Sequence, residues 1–248
     1  MTLFVRRPAA PVARAVALVV ALVVALGVSG CDTFGSDSKD DSKTSSSGTP
    51  TPAAAAFDSQ FTRDGTFQSH ISLAEAPGMD FVYTLYPTKS TPRTNEWYPT
   101  GGKYFSFTFQ AYDLDRDLRD PFKTKRKVWL SHVTVTSATT TSEGGATQSP
   151  YSLDADAPRT TFDPQPLTTK YGMLITSPKG AFELRNQMIG DMSADTIGVT
   201  LTLTASVSVE TKAGSGKYTQ ASVTQQVPIA IFKSDKPTEA QSIPVDAN

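Results

Sequence analysis

Residues 197–209 alternate without a break. Odd positions carry Ile197, Val199, Leu201, Leu203, Ala205, Val207 and Val209; even positions carry Gly198, Thr200, Thr202, Thr204, Ser206 and Ser208. A period of two puts every apolar side chain on one face of a strand and every hydroxyl on the other. A helix would scatter the same residues around its circumference. The cluster Lys212-Ala213-Gly214-Ser215-Gly216-Lys217 follows as a turn, and alternation then resumes. Ala221, Val223, Val227, Ile229 and Ile231 oppose Ser222, Thr224 and Gln226. The pattern predicts a long antiparallel hairpin. Pro228 cannot donate to a ladder, so its arm is predicted to lie at an edge or carry a bulge.

Four more segments have strand character. Phe67, Ile71 and Leu73 alternate with Gln68, His70 and Ser72. Phe81, Tyr83 and Leu85 precede Pro87. Phe105, Phe107, Phe109 and Ala111 alternate with Tyr104, Ser106, Thr108 and Gln110. Residues 128–136 are strand-like but apolar on both faces near Trp129 and Leu130. A short hairpin is predicted over 171–185, turning at Ser177-Pro178-Lys179-Gly180 with Pro second and Gly fourth. The long loop 137–170 has room for a further strand near Tyr151 or Phe162. No stretch of ten residues sustains a helical period. Strands with one apolar face must bury it against another sheet. The expected fold class is all-β: an antiparallel β-sandwich, immunoglobulin-like, with about seven to nine strands. A β-barrel is the alternative.

The N-terminus has a different character. Arg6, Arg7 and Arg14 precede or open an apolar run over 15–26, and Val28-Ser29-Gly30-Cys31 follows. A cationic start, a short apolar run and small residues at a cut make a secretory signal. The run is shorter than the roughly 20 residues of a spanning helix. Pro8-Ala9-Ala10 after Arg6-Arg7 does not continue as a twin-arginine signal, which favours general secretion. The tetrapeptide resembles the lipobox of bacterial lipoprotein precursors. That resemblance implies cleavage before Cys31, acylation of its thiol, and anchoring of the mature chain to a membrane facing the periplasm or cell exterior. Two or more acyl chains give stable attachment where one gives marginal binding. Cys31 is the only cysteine, so the mature chain has no disulfide and no cysteine nucleophile.

The expected organisation is a signal peptide over 1–30, a lipidated tether over 31–56, one domain over 57–233 and a loose tail over 234–248. The tether is rich in Asp, Ser, Lys, Thr, Pro and Ala and offers little apolar surface to offset ordering. As a coil of about 25 residues it spans on the order of 25–30 Å. In overall layout the mature chain resembles envelope lipoproteins that carry an immunoglobulin-like domain on a low-complexity tether. Formal net charge is −1 for the whole chain, and removing 1–30, with three arginines and no acid, takes it to −4. That balance argues against nucleic acid as a partner.

Catalytic signals are sparse. The two histidines are His70 and His132. No Gly-x-Ser-x-Gly elbow or His-Glu-x-x-His pair accompanies them. The expectation is a non-enzymatic protein without a cofactor, with a hydrolase assembled from distant residues as the weakest alternative. Asp113, Asp115 and Asp117 have the spacing of a calcium loop, but Leu118 stands where such a loop needs Gly and Thr124 where it needs Glu. A solvated charged turn is the simpler reading. Lys123, Lys125, Arg126 and Lys127 form a basic cluster. It could face anionic headgroups or an acidic wall polymer, or protect a strand edge. Trp97 and Tyr98, in a Pro- and Gly-punctuated loop over 91–102, are candidate contacts for a ligand or partner, or caps on the core. The expected partners are the membrane, through Cys31, and an envelope protein or wall component. A small ligand or carbohydrate is the alternative.

Overall fold

The computed structural model of the protein describes residues 57–89 and 94–233. The expected signal peptide, Cys31, the expected tether and the expected C-terminal tail lie outside these described residues. The chain runs α1 (Gln60–Asp64), β1 (Phe67–Ile71), β2 (Met79–Thr88), β3 (Lys103–Asp113), β4 (Val128–Thr141), β5 (Ser152–Asp156), α2 (Ala157–Thr160), β6 (Thr168–Thr169), β7 (Gly172–Leu174), β8 (Phe182–Ile189), β9 (Thr196–Glu210) and β10 (Tyr218–Ala230). Two antiparallel sheets result. The first is ordered β1-β2-β3-β8, and the second β10-β9-β4-β7-β6 with β5 also paired to β4. They pack face to face as a β-sandwich, immunoglobulin-like in architecture.

The hairpin β9–β10 is continuous in register from Tyr218 opposite Glu210 to Ala230 opposite Gly198. Val199, Leu201, Leu203, Ala205 and Val207 are fully buried, while Ser206, Ser222, Thr224 and Gln226 are exposed. Phe81, Phe107, Phe109 and Phe182 face them from the first sheet within one continuous core. Fully burying a Leu or Phe side chain contributes about 1.5–3 kcal/mol. The Tyr83 hydroxyl crosses the sandwich to donate to Val223 O at 3.2 Å, and its burial raises the phenol well above its ordinary pKa. Pro228 lies in β10, the edge strand of the second sheet.

β4 explains its own two-sided pattern. Val128 and Leu130 pair with Val209 and Val207, and the register then slips between Leu130 and His132. That irregularity changes which parity points inward, so Val133 and Val135 take over the core positions. Trp129 falls on the other face, beside Ser208 and Leu174, and is buried there.

Two expectations change. The segment 171–185 is not a hairpin: β7 belongs to the second sheet and β8 to the first, so this turn carries the chain between layers. Lys179 N and Gly180 N both donate to Thr176 O within it. Among the described residues the sandwich has ten strands, because β5, β6 and β7 are short additions inside or just after the long loop. β5 begins beside Tyr151, as one of the two sites predicted. At Phe162 there is no strand, and the ring is 55% exposed.

Candidate functional site

The sandwich has two poles, which the ends of β9 define. At its start, the Phe57 ring packs over Gly198, where an added Cβ would come within 2.9 Å of it. Ser59 caps α1 by accepting from Thr62 N at 3.0 Å and donates to Pro228 O at 2.8 Å. Ala230 N donates to Thr62 Oγ1. The N-terminal segment therefore docks where β9 begins and β10 ends. Glu210 lies twelve residues further along β9 than Gly198, a separation on the order of 40 Å at strand rise.

Trp97 belongs to the first pole and is not a surface residue. It is 2% exposed. Its ring meets Phe61 edge-on at 5.0 Å between centroids, and Nε1 donates to Thr94 O at 3.0 Å. Phe232 N donates to Trp97 O, fixing the backbone as well. Tyr98 is half-buried with its ring 6.2 Å from Phe232. The candidate aromatic contact thus separates into a core residue and a residue at the core margin. Apolar area in a short loop does not reveal whether α1 covers it.

At the far pole, the acidic stretch after β3 does not assemble into a cation site. The Asp113 carboxylate turns inward and is held by Arg126, with Nη2 at 2.6 Å and Nε at 3.1 Å from Oδ1. The Arg126 backbone N–H donates to Oδ2 at 2.7 Å. Burial alone would raise this carboxyl; the Arg126 hydrogen bonds and charge outweigh it and hold the group below its ordinary value. Asp115 also goes to Arg126, at 2.9 Å. Asp117 is exposed, and its backbone carbonyl receives the Lys125 ammonium. Among the described residues no group of three or more acidic, His or Cys side chains is placed to hold a metal ion.

The basic cluster is redistributed in the same way. Lys125 is 2% exposed. Arg126 is committed to Asp113 and Asp115, and Lys127 lies 3.5 Å from Glu210. Of the four cations, Lys123 alone is exposed. It lines an open cleft of about 500 Å3 with Arg116 and Lys212. Arg116 comes from the β3–β4 loop and Lys212 from the β9–β10 turn. Both are exposed. Among the described residues no carboxylate lies within ion-pair distance of these three side chains. Asp113, Asp115, Thr124, Thr211 and Ala213 complete the lining. Sequence proximity selected four consecutive-looking cations; the fold selects Lys123 and adds two from elsewhere. The repeated Lys and Gly of the turn were the only sequence signal for Lys212.

The histidines lie on outer strand faces against acids. His70 Nδ1 is 2.6 Å from Asp80. His132 places Nε2 2.7 Å from Asp154 and Nδ1 3.7 Å from Asp156. A second, smaller cleft of about 370 Å3 is lined by Phe162, Asp163, Lys179 and Glu183 among others. The Arg185 guanidinium covers the Phe162 ring at 3.5 Å.

No family model matches this chain, and neither a curated protein nor a solved structure gives a match.

Proposed function

We propose that this chain is an exported, lipid-anchored protein of a bacterial cell envelope. It presents its sandwich as a binding module for another envelope protein or a wall component. The anchoring half of this reading rests on Val28-Ser29-Gly30-Cys31 behind a short apolar run. The binding half rests on one observation: Arg116, Lys123 and Lys212 line an open cleft, and among the described residues none of the three is ion-paired to a carboxylate. Exposed cations that a fold gathers from separate segments, without internal partners, are free to engage an external anion. The small-ligand alternative at Trp97 and Tyr98 loses its support, because Trp97 is part of the core.

The test is fractionation of cells expressing the wild type or Cys31→Ser. The wild type should take up labelled palmitate and sediment with membranes. The variant should take up none and either appear in the soluble or secreted fraction or accumulate as uncleaved precursor. A variant that is still cleaved and still retained on membranes would overturn the anchoring half.

A further inference from the structure

We infer that the cleft at the far pole is a docking site for a phosphodiester-bearing polymer of the cell wall. This rests on the envelope reading above and adds the chemistry of the partner. The first observation is local charge. Residues 113–127 and 210–217 together hold eight Lys or Arg and five Asp or Glu, in a chain whose overall balance is −1. The pole is therefore cationic against an acidic background.

The second observation is how that charge is used. The two carboxylates lining the cleft, Asp113 and Asp115, are both taken by Arg126. Glu210 is occupied by Lys127 and by the N–H of Gly216. Asp113, Asp115 and Glu210 act as scaffolding, and the lining, with four cations against two carboxylates, keeps a net positive charge carried by Arg116, Lys123 and Lys212. Three cations brought from two loops to one cleft offer several positive charges to an anion that carries several charges along its length. Lys ammonium groups act as point charges with several donors, which suits phosphate oxygens.

The third observation is position. The N-terminal segment docks at the start of β9, while the cleft lies beyond its end, on the order of 40 Å away along the strand. On a coil tether the domain is free to turn, and this pole, at the end of β9 opposite the segment that leads to the anchor, can face away from the membrane toward a wall polymer.

The experiment uses the purified full chain in detergent micelles and poly(glycerol phosphate) as the probe. A vesicle arm contains phosphatidylglycerol. The wild type should bind the polymer at low salt. Raising salt tenfold should weaken that binding by at least about tenfold, because exposed charges are screened within a few ångströms at high ionic strength. The triple variant Arg116→Ala/Lys123→Ala/Lys212→Ala should also lose at least about tenfold while melting at the wild-type temperature. A matched variant, Arg63→Ala/Lys89→Ala/Lys233→Ala, removes the same charge elsewhere and should bind within about twofold of wild type.

Equal losses in both triple variants, or no loss in the first, would overturn the site. Tighter binding to phosphatidylglycerol vesicles than to the polymer would overturn the choice of partner. Palmitate labelling of the first variant separates the two readings. A variant still labelled on Cys31 but unchanged in polymer binding counts against this cleft alone, not against anchoring.

Discussion

The guanidinium of Arg126 lies 2.6 Å from the carboxylate of Asp113, and their side chains are 11% and 2% exposed. The pair ties the root of the β3–β4 loop to the end of β3. Arg126 also donates to Pro77 O at 2.7 Å, joining the turn before β2 to the same point. Arg126→Met should leave the buried Asp113 carboxylate without its cation and lower stability by about 3 kcal/mol in denaturant titrations, the usual scale for breaking a buried pair from one side. Asp113→Asn should cost less, because Arg126 keeps Asp115 and Pro77 O.

The same pair sets a pH dependence. Asp113 is depressed below its ordinary 3.8. A carboxyl depressed on folding contributes stability that is complete above its unfolded pKa and is lost as pH falls through the folded value. Melting temperature should therefore hold from neutrality to about pH 5 and decline below the ordinary carboxylate range. In Asp113→Asn the decline should be shallower. An identical acid profile in the variant would show that other carboxyls set it.

The two faces of β9 should respond differently. Leu201 and Leu203 are fully buried, and Leu→Ala at either should cost about 2–5 kcal/mol. Thr202→Ala lies on the opposite face and should change stability by under about 1 kcal/mol. Equal effects in urea titrations would contradict the register.

Trp97 should behave as a core residue. Trp97→Ala should cost about 3–5 kcal/mol, since it removes the Phe61 contact and the Nε1 bond to Thr94 O. Tyr98→Ala, at the margin, should cost clearly less. Comparing the two melting curves checks this directly.

Gly172 has φ +114°, and a Cβ there would meet the Leu130 carbonyl oxygen at 2.1 Å. Gly172→Ala should force β7 away from β4 and destabilise the domain strongly, because the atoms it would meet are β4 backbone, which cannot yield as a side chain could. A near-normal melting temperature would show that β7 is not held as described.

The hairpin was legible because thirteen residues obey a single period, and local alternation decides which face is buried. Loop 137–170 was only half legible. β5 pairs with β4 through alternating Leu153 and Ala155, a signal too short to separate from a polar loop. The crossing at 174–182 was hidden because a turn has the same local chemistry whether its arms pair or part. The cleft was the least legible feature. Arg126 finds Asp113 thirteen residues away, and Lys212 reaches the site from a segment nearly ninety residues beyond Lys123. Neither pairing leaves a periodic trace; each depends on which strand ends the two-sheet topology brings together.

The central claim is that a binding sandwich is carried on a lipidated N-terminus. Intact-mass and N-terminal peptide analysis of the protein purified with detergent from whole cells that express it tests this most directly. The account predicts a mature chain that begins at Cys31 and carries the mass of a diacylglycerol on that residue. A chain retaining residues 1–30, or one beginning elsewhere with Cys31 unmodified, would contradict it.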